Sequence, residues 1–166
     1  MPADNQQERL PLVNEAGDVI GSATRGECHG GTKWLHPVVH LHVFNAAGEL
    51  FLQQRPPWKD IQPGRWDTAV GGHVDWGETV EEALQREVRE EIGLTDFAPQ
   101  FVARYVFESE RERELVHVFR TRTSAVPRPS AELAGGRFFS EQEIRQRLGQ
   151  GFFTPNFEQE WLRFFG

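Results

Sequence analysis

Cysteine, positive charge and long apolar stretches are all scarce in this chain of 166 residues. Its single cysteine, Cys28, excludes an internal disulfide and suits a reducing compartment, so we expect a cytoplasmic protein. Lysine and arginine number 18 against 25 acidic residues, and the net charge of -7 disfavours broad nucleic-acid binding. The N-terminus is polar and the apolar stretches are short, so we expect neither a signal peptide nor a membrane span.

What remains is the composition of a soluble globular protein. Hydrophobic residues make up 38% of the chain and charged residues 26%, and the length is sufficient for a substantial core. We find no internal repeat and no low-complexity linker. We therefore expect one domain over residues 1–166.

One segment carries an unambiguous helical pattern. Over Val80–Ile92 the apolar residues recur with a period of 3.6 and form one face. Thr79 with Glu82 matches a capping box at the start, and Gly93 is placed to end the helix in a left-handed conformation. The pattern predicts a helix from 80 to 92.

Three carboxylates on this helix are unusual in their direction. The helical period points Glu87 and Glu91 into the apolar face and puts Glu90 at its edge, while Arg86 falls on the solvent side. A solvated acidic face is the ordinary explanation for such a triplet. Inward carboxylates, however, lose hydration and repel one another unless a cation compensates. Oxygen ligands favour Mg²⁺ or Mn²⁺.

The rest of the chain alternates between strand and turn patterns, with two helices near the end. We predict a first hairpin over about 10–22, and two further helices, the first opening at Ser140 and ending at Gly149, the second starting at Thr154 and Pro155. In the last helix Phe157, Trp161 and Phe165 have core spacing. The other predicted strands are 36–44, 49–54, 101–108, 114–123 and 136–139. The sum is an α/β fold, with helices packed on a mixed sheet.

The carboxylate helix belongs to a longer motif. The segment 72–94 matches G-x5-E-x7-R-E-U-x-E-E-x-G-U, in which U is aliphatic, at Gly72, Glu78, Arg86, Glu87, Val88, Glu90, Glu91, Gly93 and Leu94. This resembles the Nudix box.

The resemblance implies an α/β/α sandwich that hydrolyses a small-molecule diphosphate linked to another moiety with Mg²⁺ or Mn²⁺, as a monomer or homodimer. Glu87, Glu90, Glu91 and the backbone of Gly72 would hold the cation. Arg86 would be bonded to Glu78 or a neighbouring glutamate and would orient these ligands. An ordinary surface pair between Arg86 and Glu90 explains the spacing equally well. Glu87, Glu91 or, outside the box, Glu132 would act as base.

A narrower resemblance covers most of residues 10–120 and points to the branch related to type I isopentenyl diphosphate isomerase. It implies that Arg55 and Lys59 clasp the diphosphate, although exposed basic residues need no such role. It also implies a second divalent site for Mn²⁺, Zn²⁺ or a similar ion, formed by three histidines and two glutamates: His29, His36, His73, Glu112 and Glu114.

One residue separates the two activities. The isomerases carry a cysteine immediately before the Gly-His of the box, as a proton donor and acceptor at carbon, and this chain has Gly71 there. Because glycine has no proton to give and the hydrolytic box is intact, we predict a hydrolase. The isomerase remains the first alternative and a phospholigand-binding module without turnover the second.

Overall fold

The computed structural model describes residues 6–59 and 62–166. The strands are β1 (Arg9–Val13), β2 (Val19–Thr24), β3 (Leu35–Phe44), β4 (Leu50–Gln54), β5 (Trp66–Thr68), β6 (Val70–His73), β7 (Gln100–Glu108), β8 (Arg113–Arg122) and β9 (Gly135–Phe139). The helices are α1 (Arg25–His29), α2 (Val80–Ile92), α3 (Glu141–Arg147) and α4 (Pro155–Phe164). No helix within the described residues is long and apolar enough to cross a membrane.

The main sheet is mixed, as the alternating patterns predicted. Its path runs β5-β4-β3-β8-β7, with β6 paired to β3 and β9 paired to β4. Strands β3 and β8 are parallel and the other pairs are antiparallel. Strands β1 and β2 form a separate hairpin, so the predicted N-terminal hairpin is confirmed.

Helices cover both faces of the main sheet because successive strand residues point to opposite sides. On one face, Val39 and Leu41 of β3 pack against Leu84 and Val88 of α2. On the other, Leu52 of β4 packs in a cluster with residues of α3 and α4: Ile144, Phe157 and Trp161. The predicted α/β/α sandwich is confirmed, and the aromatic residues of α4 belong to its core, as their spacing indicated.

Local sequence signals explain where α2 begins and ends. Thr79 accepts a hydrogen bond from the Glu82 amide and Glu82 caps the Thr79 amide in return, while Gly93 has φ 68°. These bounds are those predicted. The prediction that the next helix ends at Gly149 was slightly long, because α3 ends at Arg147.

Three short elements were missed. Helix α1 opens with a capping box formed by Thr24 and Glu27, a signal that was present in the sequence. Strands β5 and β6 have only three and four residues, and β6 contains two glycines, so neither shows a strand pattern.

Replacing the Thr79 cap by alanine should destabilise α2 and with it the fold. We expect Thr79→Ala to lower the free energy of unfolding by about 1 kcal/mol, because the Glu82 amide loses its acceptor. Urea denaturation followed by circular dichroism measures this. Thr95→Ala, in an exposed position, is the matched control. Equal losses in both variants would contradict the capping account.

Candidate active site

The Glu87 carboxylate is buried against the backbone of Gly72. Only 5% of Glu87 is exposed, and a Cβ atom at Gly72 would lie 2.2 Å from its Cδ. Gly72 pairs with Val39 of β3, whose side chain packs against α2, so a side chain at position 72 would also point toward α2. Glycine is therefore required here for close approach of the carboxylate to the strand.

Glu91 lies one turn further along α2, beside Glu87. The Gln53 side-chain amide donates to its Oε1 at 3.1 Å. Burial, together with a hydrogen bond to Glu87 and the charge of Glu87, raises the pKa of Glu91 well above its usual value. Two adjacent carboxylates that resist simultaneous ionisation are a suitable donor set for a hard cation, which would relieve their repulsion.

The helical period predicted Arg86 on the solvent side of α2, and this prediction was wrong. Its guanidinium donates to Glu78 at 2.8 and 2.9 Å, to Glu87 at 2.7 Å and to the His73 carbonyl at 3.0 Å. The side chain is long enough to fold back across the turn before the helix. Of the two partners considered for Arg86, Glu78 is the one that it bonds in the structure. The distance from Arg86 Nη1 to Glu90 Oε2 is longer, at 3.6 Å.

One cleft of about 560 Å³ collects most of the residues singled out from the sequence. Arg55 lies there with Asp67, at 3.6 Å between Nη1 and Oδ2. Glu90, His29, His36 and Glu114 are not among the residues that line the cleft, and Glu90 is exposed. The expected site residues that do line it are Arg55, Lys59, Gly72, His73, Arg86, Glu87, Glu91, Glu112 and Glu132.

The three histidines of the expected second site also converge. The Nε2 atom of His29 lies 3.2 Å from Nε2 of His73 and 3.1 Å from Oε2 of Glu112. His36 Nε2 lies 3.8 Å from Glu112 and 3.9 Å from Glu114. One ligand atom from each of the three histidines and Glu112 falls within a common 4.8 Å. Residues from four elements thus meet at one point.

The neutral form of the histidines in this cluster suits metal binding. His36 is fully buried; its Nδ1 lies 3.1 Å from the Trp34 carbonyl, and its Nε2 has no hydrogen-bond partner within the described structure. Burial lowers the pKa of His36 and, with nearby positive charges, lowers that of His73 well below its usual value. Neutral imidazole is the form that binds metals. Burial and Glu112 raise the pKa of Glu114 to about 7.

A third group in the cleft escaped sequence reasoning. His40 lines it, and its Nδ1 lies 2.9 Å from Glu160 Oε1 on α4. His36, His40 and His42 are separated by even numbers of residues on β3 and so share one face of the strand, but nothing in the sequence links that face to Glu160. Gln53 and Asp67 were missed for the same reason.

Comparisons with known proteins identify the family of this chain. The NUDIX domain model matches residues 34–157. The chain belongs to the Nudix family. A Nudix hydrolase of Deinococcus radiodurans is 32% identical over 149 residues, 87% of this chain and 85% of that protein. An isopentenyl-diphosphate Delta-isomerase of Brevibacterium linens is 33% identical over 149 residues, 85% and 81% of the two chains.

A solved structure extends the likeness across the whole Nudix fold. The crystal structure of DR0079 from Deinococcus radiodurans has a TM-score of 0.80 and 28% identity, and the match covers 96% of this chain and 100% of that one. The relatives therefore include Nudix proteins named for hydrolysis and others named for isomerisation, as both resemblances predicted.

Cys28 does not replace the cysteine that isomerases of the Nudix family carry at the position of Gly71. It is fully buried and packs with Leu10 and Ala23 under the hairpin. Burial raises the pKa of its thiol to about 11. Cys28 is thus a small core residue.

Adding a methyl group at Gly72 should displace the Glu87 carboxylate. We expect Gly72→Ala to cost about 1–3 kcal/mol of folding free energy, as for an overpacked site. In Gly71→Ala the new Cβ meets only the His40 ring, at 3.4 Å from Cδ2 and 3.7 Å from Nε2, and stability should change little. Thermal unfolding of both variants makes the comparison. A Gly72→Ala variant as stable as Gly71→Ala would show that Glu87 is not held against the strand.

Proposed function

We propose that this Nudix protein is a divalent-cation-dependent hydrolase that cleaves a small-molecule diphosphate linked to another moiety. The observation that carries this proposal is the pairing of Glu87 and Glu91 at the wall of a cleft that also holds Arg55 and Lys59. The substrate class includes nucleoside and isoprenoid diphosphate derivatives. A binder without turnover has no need of the complete carboxylate set.

The residues present fit Mg²⁺ or Mn²⁺. The Gly72 cradle brings Glu87 to the backbone of β6, and Glu91 adds a second, half-buried carboxylate, so oxygen donors dominate. Glu87, Glu90, Glu91 and the Gly72 carbonyl would hold the ion; the Glu90 side chain is exposed in this structure. When bound, the cation supplies neutralisation of the diphosphate and a water of lowered pKa.

The protein side chains have separate tasks around the substrate. Arg55 and Lys59 donate charge-assisted hydrogen bonds to the diphosphate, and Asp67 restrains Arg55. Arg86 positions Glu87 through its bond at 2.7 Å. A carboxylate in the cleft accepts the proton of the attacking water; Glu87, Glu91 and Glu132 all line the cleft and are candidates for this role.

A second candidate function, isomerisation of isopentenyl diphosphate, is favoured by the cluster of His29, His36, His73 and Glu112 and by the isomerases among the relatives. The unpartnered Nε2 of buried His36 fits a second divalent ion, such as Mn²⁺ or Zn²⁺, with Glu114 beside it. Against it, Gly71 lacks an acid or base. The hydrolase therefore ranks first. The single buried thiol suits the reducing conditions of the cytoplasm, where we propose that the protein acts.

Glu91→Gln should abolish hydrolysis without weakening the fold. We expect turnover of the active substrate to fall by about 10²–10⁴-fold, because either role of Glu91 requires a carboxylate. Stability without metal should be maintained, since the amide keeps the shape and removes repulsion from Glu87.

The assay is phosphorus NMR with Mg²⁺ and a panel of nucleoside diphosphate sugars, dinucleotides, nucleoside triphosphates and isopentenyl diphosphate. Glu81→Gln, on the exposed side of α2, is the matched control and should keep activity. Full turnover by Glu91→Gln would overturn the proposed site. An allylic product with the diphosphate intact, seen by proton NMR, would establish the isomerase instead.

Removing one imidazole should empty the second site. We expect His36→Gln to retain less Mn²⁺ or Zn²⁺ after dialysis than the parent protein, because the buried Nε2 ligand is lost. Elemental analysis measures metal per chain. His117→Gln is the control, since His117 is also buried but bonds to the Val38 carbonyl. Equal metal content in parent and His36→Gln would exclude the histidine cluster as a metal site.

A further inference from the structure

A buried carboxylate on α4 organises three donors beneath the cleft. Glu160 is 1% exposed and lies 2.9 Å from His40 Nδ1, 2.5 Å from His42 Nε2 and 2.6 Å from the Tyr105 hydroxyl. Burial alone would raise the pKa of Glu160, but the two histidines outweigh it and hold the pKa well below its usual value. Because an ionised carboxylate only accepts, all three partners donate to it.

Of these three donors, His40 alone lines the cleft. His42 is fully buried, whereas 19% of the His40 side chain is exposed. Its Nδ1 is engaged by Glu160, so the opposite edge of the ring, with Nε2, is the part that remains available. No hydrogen bond to that Nε2 is present among the described residues. The imidazole is thus anchored on one side and open on the other.

Gly71 keeps this edge accessible. It is the register partner of His40 across β6 and β3, and a Cβ at Gly71 would lie 3.4 Å from Cδ2 and 3.7 Å from Nε2 of His40. Any side chain longer than alanine would extend from that point over the ring edge. Gly71, which stands where the isomerases have a cysteine, therefore also leaves the His40 imidazole exposed to the cleft.

The charge of the ring suits an anionic ligand. Burial lowers the pKa of His40, but Glu160, with smaller contributions from Glu114 and Asp67, raises it to about 9. The ring is therefore cationic at neutral pH and both nitrogens carry protons. Arg55 and Lys59 line the same cleft, so a third cationic donor would act on the same group.

We propose that His40 contacts the substrate, its Nε2–H donating to a phosphate oxygen of the diphosphate, with Glu160 as the positioning residue. This inference rests on the proposed function, since it assigns a further binding residue for the same diphosphate. It gives a role to the buried Glu160 carboxylate and its three donors, which lie outside the 72–94 segment. A neutral amide at residue 160 would leave the ring without its counter-charge.

The direct test uses the unaltered protein labelled with ¹⁵N. Ring signals of the histidines and the Gly72 amide are recorded with Mg²⁺ alone and then with added methylenediphosphonate, a diphosphate analogue whose P–C–P bridge cannot be hydrolysed. We expect the His40 Nε2 signal to shift on the second addition. Signals of His42 and His117, which do not line the cleft, should stay in place.

The outcomes separate this inference from the proposed function. Movement of both His40 and Gly72 supports both. Movement of Gly72 with His40 unchanged overturns the role of His40 and leaves the hydrolase standing. Movement of His40 alone supports the contact but counts against the box as the diphosphate site, and movement of neither refutes both.

Kinetics give a second readout that a purely structural role would not produce. We expect His40→Gln to raise KM about tenfold or more, the effect of losing one charge-assisted hydrogen bond, with a smaller change in kcat. The matched variant His117→Gln should keep KM even if it lowers stability. Glu160→Gln should reproduce part of the KM increase. Unchanged KM in a folded His40→Gln protein would overturn the contact.

Discussion

The burial of the Glu87 carboxylate between α2 and Gly72 is the interaction on which the rest of the site depends. A buried charge costs several kcal/mol unless it is paired, and here Arg86 provides the pairing. The same guanidinium reaches Glu78 before the helix and the His73 carbonyl on β6, so it joins the helix to the strand. The Arg86 guanidinium therefore orients the strand, the turn and the helix. It thereby fixes the wall of the cleft where Glu91 also lies.

How far the sequence predicts this molecule depends on the range over which each signal acts. Helix α2 was predicted to the residue because Thr79 and Gly93 mark its ends locally. Strand β6 was missed because its glycines serve close approach and carry no strand pattern. The pair of His40 with Glu160 joins residues 120 apart in the chain, and no local period could report it. Only folding brings those two side chains together.

Hydrolase and isomerase chemistry make different demands on the same scaffold. Both need cationic groups for a diphosphate, and the cleft provides Arg55 and Lys59 for either. Transfer of a proton at carbon needs in addition an acid beside the box, and Gly71 cannot supply it. Hydrolysis needs an activated water near paired carboxylates, and in the proposed function Glu87 and Glu91 are that pair. The single position before Gly72 therefore separates the two functions more clearly than the overall fold, which relatives of both names share.

The most direct test of this account is anomalous diffraction from crystals grown with Mn²⁺ and methylenediphosphonate. The account predicts a manganese peak in direct contact with the Glu87 and Glu91 carboxylates, and a diphosphonate between that ion and Arg55. A second peak among His29, His36 and His73 would be compatible with it. Manganese absent from the two carboxylates while the diphosphonate occupies the cleft would contradict the claim that this glutamate pair forms the centre of the site.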